Sequence, residues 1–272
     1  MEQPLSAQAS APAEIVIPVN GKQLRATVAG RGPEIVLLHS LLTDQSSFDP
    51  VFASLAEAHR VVLVSLPGFG ASDVVRGGLD VVADHLALAL DAGGLAARPV
   101  VIGNGYGAFL ATVLAIRHPH LVGKLVLAGC GAAFSDSGRA AFRQMAAGAR
   151  ARGLQAVADT AMARLFSAQF REGHPQLMAR RRACFLAISP DTFDDACNAL
   201  ATLDLRADLR KVGVPVMVMV GDDDEATPPA MARELAAALP DARLRVLPGC
   251  AHVPQLQDPD GFLAAIRAFV GF

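Results

Sequence analysis

Short apolar runs alternate with segments of helical periodicity along most of this 272-residue chain. Most of the runs contain no polar residue, which is typical of strands buried on both faces of a parallel sheet. Together with the helical segments between them, they predict an α/β fold: a mostly parallel sheet with helices on both faces. The strand patterns lie at residues 35–38, 61–64, 100–102, 125–127, 216–220 and 244–247, and the helical patterns at 48–58, 79–92, 106–117, 229–239 and 259–269.

Two more strand patterns come first, at residues 15–19 and 24–28, and they bring the expected sheet to eight strands. Asn20-Gly21 lies between them and favours a tight hairpin turn. Residues 1–14 are rich in Ala, Ser, Gln and Pro and lack the basic and apolar stretches of a secretory signal. We therefore expect these residues to form a flexible N-terminal tail.

One long stretch, residues 134–209, has helical spacing throughout and no strand pattern, with Met162 and Phe166 among its periodic apolar residues. It predicts a helical cap inserted into an α/β core that comprises residues 15–133 and 210–272. Insertions of this kind in α/β enzymes often cover the carboxyl ends of the strands, where ligands bind.

Charge and cysteine content narrow the range of partners. The 24 basic and 26 acidic residues leave a net charge of −2, so the chain lacks the basic surface that nucleic acids or anionic membranes require. No apolar run reaches the roughly 18 residues of a membrane span. Cys130, Cys184, Cys197 and Cys250 show no metal-ligand spacing, which favours reduced thiols in a cytoplasmic protein. We expect a small-molecule substrate or ligand, no cofactor and no metal; nothing indicates an oligomeric state.

A glycine-rich turn at residues 103–108 follows a buried strand and opens a helix, and it has two interpretations. As G-x-G-x-x-A it resembles a dinucleotide-binding turn, but several strands precede it and residues 128–130, after the next strand, hold no carboxylate for a ribose. As G-x-S-x-G it resembles a nucleophile elbow in which Gly105 stands at the serine position. The rest of the chain favours the elbow.

An acid and then a histidine should follow an elbow along the chain. Asp224 lies in the loop after strand 216–220, and His252 lies in the loop after the last strand. Asp222 and Asp223 compete for the acid role, but the place of Asp224 just before the next helix favours it. The loop after strand 35–38 would supply one backbone N–H of an oxyanion hole, and Tyr106 the other.

Five segments carry a resemblance to the α/β-hydrolase fold proteins: LLHSLLTD, LPGFGASD, VIGNGYGAF, GDDDEATPP and GCAHVPQLQDP. The helical stretch followed by DLRADLRKVGVPVMVMVGDDDEATPPA is similar to the 3-oxoadipate enol-lactonase group. The resemblance implies an ester or lactone hydrolase with Asp224 as acid, His252 as base, and Leu41 and Tyr106 as oxyanion donors. The nucleophile position falls on Gly105.

Four further residues are expected to line the substrate pocket. His39 and Ser40 follow the strand at 35–38, Cys130 follows the strand after the elbow helix, and Phe166 belongs to the helical stretch. Ser40 stands where many members of the family have glycine.

Glycine at the elbow removes the hydroxyl that forms an acyl-enzyme, and it relieves backbone strain. We expect a small void beneath His252 that holds a water, which His252 and Asp224 activate for attack on a carbonyl. Three alternatives stay open. The dyad serves a lyase, isomerase or cofactor-free oxygenase; the protein binds a ligand without turnover; or a serine was replaced by design to trap a substrate.

Overall fold

An eight-stranded sheet forms the centre of the computed structural model, which describes residues 11–94 and 98–272. The strand order is β1-β2-β4-β3-β5-β6-β7-β8; β2 runs antiparallel to β1 and β4, and all other pairs are parallel. The predicted eight-stranded, mostly parallel sheet is thereby confirmed. The strands are β1 Ala13–Val19, β2 Lys22–Ala29, β3 Glu34–Leu38, β4 Arg60–Ser65, β5 Val100–Asn104, β6 Lys124–Ala128, β7 Val216–Gly221 and β8 Ala242–Leu247.

The first two strands form the hairpin expected from the sequence. Asn20 and Gly21 both have positive φ, at 48° and 74°, as a two-residue turn between twisted strands requires. The expected tail was too long, because Ala13 and Glu14 already pair with β2. Its first ten residues lie outside the described part of the chain.

Helices cover both faces of the sheet, and alternate residues of each strand face opposite layers. Along β7, for example, Met217 and Met219 pack in the core between the sheet and the helices at residues 49–56 and 259–270. Val216, Val218 and Val220 pack in the core on the other face of the sheet. Apart from the helices between β6 and β7, the helices are α1 Asp49–Ala56, α2 Leu79–Ala92, α3 Tyr106–Arg117, α9 Pro229–Ala238, α10 Pro254–Gln257 and α11 Pro259–Val270.

Five helices lie between β6 and β7, and we call residues 136–202 the helical segment. They are α4 Asp136–Arg152, α5 Ala158–Leu165, α6 Ala168–Gly173, α7 Pro175–Leu186 and α8 Pro190–Thr202. A bridge between Ala133 and Asp204 closes the base of the segment. Arg181 of α7 is buried and donates to Ser46 Oγ over 2.9 Å, which ties the segment to the loop after β3.

None of the helices in the described ranges combines the length and the apolar character that crossing a membrane would require.

Candidate active site

The glycine-rich turn between β5 and α3 has the backbone of a nucleophile elbow. Gly105 has φ 52° and ψ −118°, a combination that side-chain-bearing residues rarely adopt, and its N–H donates to Ala128 O over 2.8 Å. A Cβ on Gly107 would lie 2.1 Å from Leu38 O, so the helix can approach β3 this closely only with glycine there. The turn therefore has a backbone at residue 105 that favours glycine, and it packs closely against β3.

His252 and Asp224 form a buried pair next to this turn. His252 Nδ1 lies 2.9 Å from Asp224 Oδ2, and both side chains are at most 7% exposed. Asp224 also accepts hydrogen bonds from the N–H groups of Ala226 and Thr227 and from the Thr227 hydroxyl. Burial opposes ionisation, but the charge of His252 and these hydrogen bonds outweigh it and lower the pKa of Asp224 below its usual value. Asp224 is thus a carboxylate that orients the imidazole through Nδ1.

Asp222 and Asp223, the competing candidates for the acid, are exposed. Asp222 accepts a hydrogen bond from Gly249 N, on the outside of the same pair of loops.

The other ring nitrogen of His252 is aimed at residue 105. A Cβ built on Gly105 would lie 2.8 Å from His252 Nε2 and 2.5 Å from Ser40 Oγ. The expected void is therefore not found at the Cβ position, because the Ser40 hydroxyl and the imidazole crowd it from two sides. The space lies farther out, as a cavity of about 40 Å³.

Polar and apolar residues both line that cavity, and we call these two groups its polar side and its apolar side. The polar side comprises Ser40, Gly105, Thr227 and His252. Leu41 and Tyr106, the residues expected to donate to an oxyanion, also line it, as does Arg164 of α5. The apolar side is formed by Leu42, Phe109, Phe134, Phe142, Met145 and Leu200. At about 40 Å³ the cavity is far smaller than a typical ligand pocket of roughly 300–1,000 Å³, and it has room for water beside the polar residues.

Among the described residues, the N–H groups of the two expected oxyanion donors have no hydrogen-bond acceptor. Tyr106 is the first residue of α3, so its N–H has no acceptor within the helix. The N–H of Leu41 donates to no backbone or side-chain group in the described ranges.

His39 is buried away from the cavity and holds the loop after β3. Its Nε2 accepts from Leu66 N over 3.1 Å, and its Nδ1 donates to Ser40 O over 2.9 Å. Burial lowers the pKa of His39 to about 4, so the ring is neutral near pH 7. Of the four residues expected to contact substrate, His39 and two others do not reach the cavity wall.

Cys130 and Phe166 are the other two. Cys130 is 1% exposed, and burial raises the pKa of its thiol, which leaves it an inert core residue. Phe166 stacks on Phe170 and lines a separate outer cleft of about 560 Å³, between α5, α6 and the Asp224 loop. Ser40 alone of the four lines the cavity.

Two carboxamides that the sequence reasoning missed support the loop that carries His252. Asn104 Nδ2 donates to His252 O over 2.8 Å, and Gln255 Nε2 donates to Asn104 Oδ1 over 3.1 Å. Both are buried. The variable position of the G-x-S-x-G pattern gave no reason to single out Asn104, although a carboxamide at the end of a buried strand is itself unusual.

These features define the class: a family model of the alpha/beta hydrolase fold matches residues 33–259, and the chain belongs to that family. Its relatives include both esterases and lactonases. Pimeloyl-[acyl-carrier protein] methyl ester esterase of Nitrosospira multiformis is 30% identical over 88% of this chain and 95% of that protein. 3-Oxoadipate enol-lactonase 2 of Acinetobacter baylyi is 26% identical over 87% of this chain and 88% of that protein.

The chain is also similar to a solved enol-lactonase structure and to part of a much longer protein. The crystal structure of the enol-lactonase from Burkholderia xenovorans LB400 superposes with a TM-score of 0.89 at 28% identity, covering 95% of this chain and 100% of that one. Polyketide synthase ThaQ of Burkholderia thailandensis is 29% identical over 95% of this chain, but the chain spans only 13% of that protein.

Proposed function

We propose that this protein hydrolyses a small ester or lactone and that His252, oriented by Asp224, activates the attacking water. The observation that carries the proposal is the aim of the imidazole: Nδ1 is held by Asp224, while Nε2 lies 2.8 Å from the Cβ position at residue 105. A base placed there removes a proton from an oxygen at the elbow. Because glycine brings no oxygen, water takes that place.

The reaction follows from the groups around the cavity. The substrate carbonyl oxygen accepts hydrogen bonds from the N–H groups of Leu41 and Tyr106, which stabilise the charge that develops on it. Water transfers a proton to His252 Nε2 as its oxygen bonds to the carbonyl carbon. The imidazolium, stabilised by Asp224, then gives this proton to the leaving oxygen as the C–O bond breaks. No covalent intermediate forms at residue 105.

The substrate class is inferred from the cavity and from the relatives. The apolar lining residues are suited to contact with a short acyl chain, and the functions of the relatives, methyl ester and enol-lactone hydrolysis, involve the same carbonyl chemistry. An enol or aryl ester suits attack by water, because its leaving oxygen is a weak base and departs readily.

We also propose that the helical segment acts as the cap of this site. It supplies Phe142, Met145 and Leu200 to the cavity wall. Leu165 O at the end of α5 accepts the backbone N–H of His252 over 3.2 Å, so the segment touches the catalytic loop directly.

The test is hydrolysis of small lactones, enol lactones and aryl or methyl esters by the wild type and by His252→Ala. We expect kcat/KM of the variant to fall by ~10²–10⁴-fold, the usual contribution of a positioned general base. His120→Ala is the matched control, because that histidine is exposed and lies at the far end of α3.

Equal rates for the wild type and His252→Ala would contradict the proposal. Saturable binding of a ligand by the wild type without hydrolysis would favour a non-catalytic binding protein instead.

A further inference from the structure

Ser40 has an unusual position: its backbone is fixed and its hydroxyl faces the catalytic cavity. The Ser40 carbonyl oxygen accepts from the Thr43 N–H, the Thr43 hydroxyl and His39 Nδ1. The residue is 2% exposed. With the carbonyl held by three donors, the side chain has a defined place beside Gly105.

The Ser40 hydroxyl and His252 Nε2 converge on one point. They lie 2.5 Å and 2.8 Å from the Cβ position at residue 105, yet in the described part of the chain they make no hydrogen bond to each other or to any third group. Both residues line the cavity, and neither atom is among the fully buried side-chain atoms that lack a partner, so both face space that a polar ligand can reach.

Water fits the space in front of these two atoms. It cannot occupy the Cβ position itself, which is within bonding distance of Gly105 Cα. Ser40, Gly105 and His252 all line the cavity of about 40 Å³. A water requires ~10–15 Å³ and at least two polar partners.

We propose that Ser40 is a catalytic residue of this site: its Oγ and His252 Nε2 together hold the attacking water. The inference rests on the hydrolytic function proposed above. One water proton passes to Nε2, and the other is held by Ser40 Oγ, which keeps its own proton throughout. The water lone pair then faces a carbonyl bound by Leu41 N–H, on the residue next to Ser40.

A covalent role for Ser40 is less well supported by the geometry. A serine nucleophile is activated by a hydrogen bond to its base, and Ser40 Oγ makes none to His252. Two groups that face one point without bonding each other are suited to bridging a third oxygen.

The experiment compares Ser40→Ala and Ser40→Thr with the wild type on the ester or lactone that the panel identifies. We expect Ser40→Ala to lower kcat by ~10²-fold, the size of effect seen when a reacting group is misplaced, with KM changed less than about 2-fold. Ser40→Thr keeps a hydroxyl and should recover most of kcat. Ser72→Ala is the matched control, because Ser72 is a buried serine outside the cavity whose hydroxyl bonds Arg25 N and Ser65 O.

Intact-mass measurement after mixing with substrate completes the test, and the wild type should show no acyl adduct. An adduct on the Ser40 peptide would overturn the proposal in favour of covalent catalysis. Wild-type kcat in Ser40→Ala would overturn it while leaving the hydrolase intact, provided that His252→Ala is impaired. Equal rates in the wild type and His252→Ala would remove the proposed function and this inference together.

Discussion

Two loops reach Gly105, and each carries a buried histidine with a different set of hydrogen bonds. In the loop after β3, both ring nitrogens of His39 bond backbone groups, of Leu66 and Ser40. In the loop after β8, Nδ1 of His252 bonds a carboxylate and a hydroxyl, and Nε2 bonds no described group. Burial does not distinguish the two, at 0% and 6% exposure. The two histidines differ in that His252 has one ring nitrogen, Nε2, available to a substrate or a water, whereas His39 has none.

Asp224→Asn should remove the difference between the two histidines most completely. The carboxamide removes the charge that stabilises the imidazolium and can present its NH₂ to Nδ1, which would leave Nε2 protonated and unable to act as base. We expect kcat/KM to fall by up to ~10⁴-fold, as for the corresponding change in a serine protease triad. Steady-state kinetics on the substrate identified above measures this.

Asp223→Asn is the matched control, because its carboxylate is one residue away but exposed. A comparable loss in both variants would indicate that general electrostatics, and not the contact with His252, sustains the activity.

Sequence reasoning could predict one histidine better than the other. His252 and Asp224 follow from strand order and motif order, since loops at the carboxyl ends of neighbouring parallel strands meet at one edge. His39 also follows a strand, so the same logic placed it in the pocket. Its exclusion depends on the Leu66 N–H, 27 residues away along the chain. No local pattern shows which backbone donor a side chain will meet.

The same limit explains Cys130, Phe166 and Asn104. The first two have the right location along the chain but face the core or the outer cleft, which only packing decides. Asn104 acts on His252 from 148 residues away. The eight strands and most helix bounds needed no such information, because their signal is periodicity within each segment.

The second prediction tests the buried state of His39 through the pH dependence of the unfolding free energy. Burial holds the pKa of His39 near 4, against 6.5 for an ordinary histidine, so between these values the unfolded chain binds a proton that the folded chain does not. Stability should therefore fall as pH drops from about 6.5 to 4, by roughly 3 kcal/mol over that window. Urea unfolding at pH 7, 6 and 5 should show a flatter dependence in His39→Gln, whose carboxamide can replace both hydrogen bonds.

His85→Gln is the comparison variant. Burial also lowers the pKa of His85, which lies in α2 and is remote from the site, so this variant shows how far an unrelated buried histidine changes the pH dependence. A His39→Gln profile parallel to the wild type would show that another group causes the acid sensitivity.

The smallest effect concerns Gly105, which both loops contact. Gly105→Ser places a side chain at φ 52° and within 2.5–2.8 Å of Ser40 Oγ and His252 Nε2, so we expect a loss of ~1–3 kcal/mol in unfolding free energy. Gly21→Ser has a positive φ but open space around it, and it measures the backbone cost alone. In a Ser40→Gly background, the extra loss of stability in Gly105→Ser compared with Gly21→Ser should shrink. The introduced serine should react with a fluorophosphonate and give an ester burst. If Ser40→Gly does not reduce this extra loss of unfolding free energy, the crowding at residue 105 comes from His252 and not from the loop after β3.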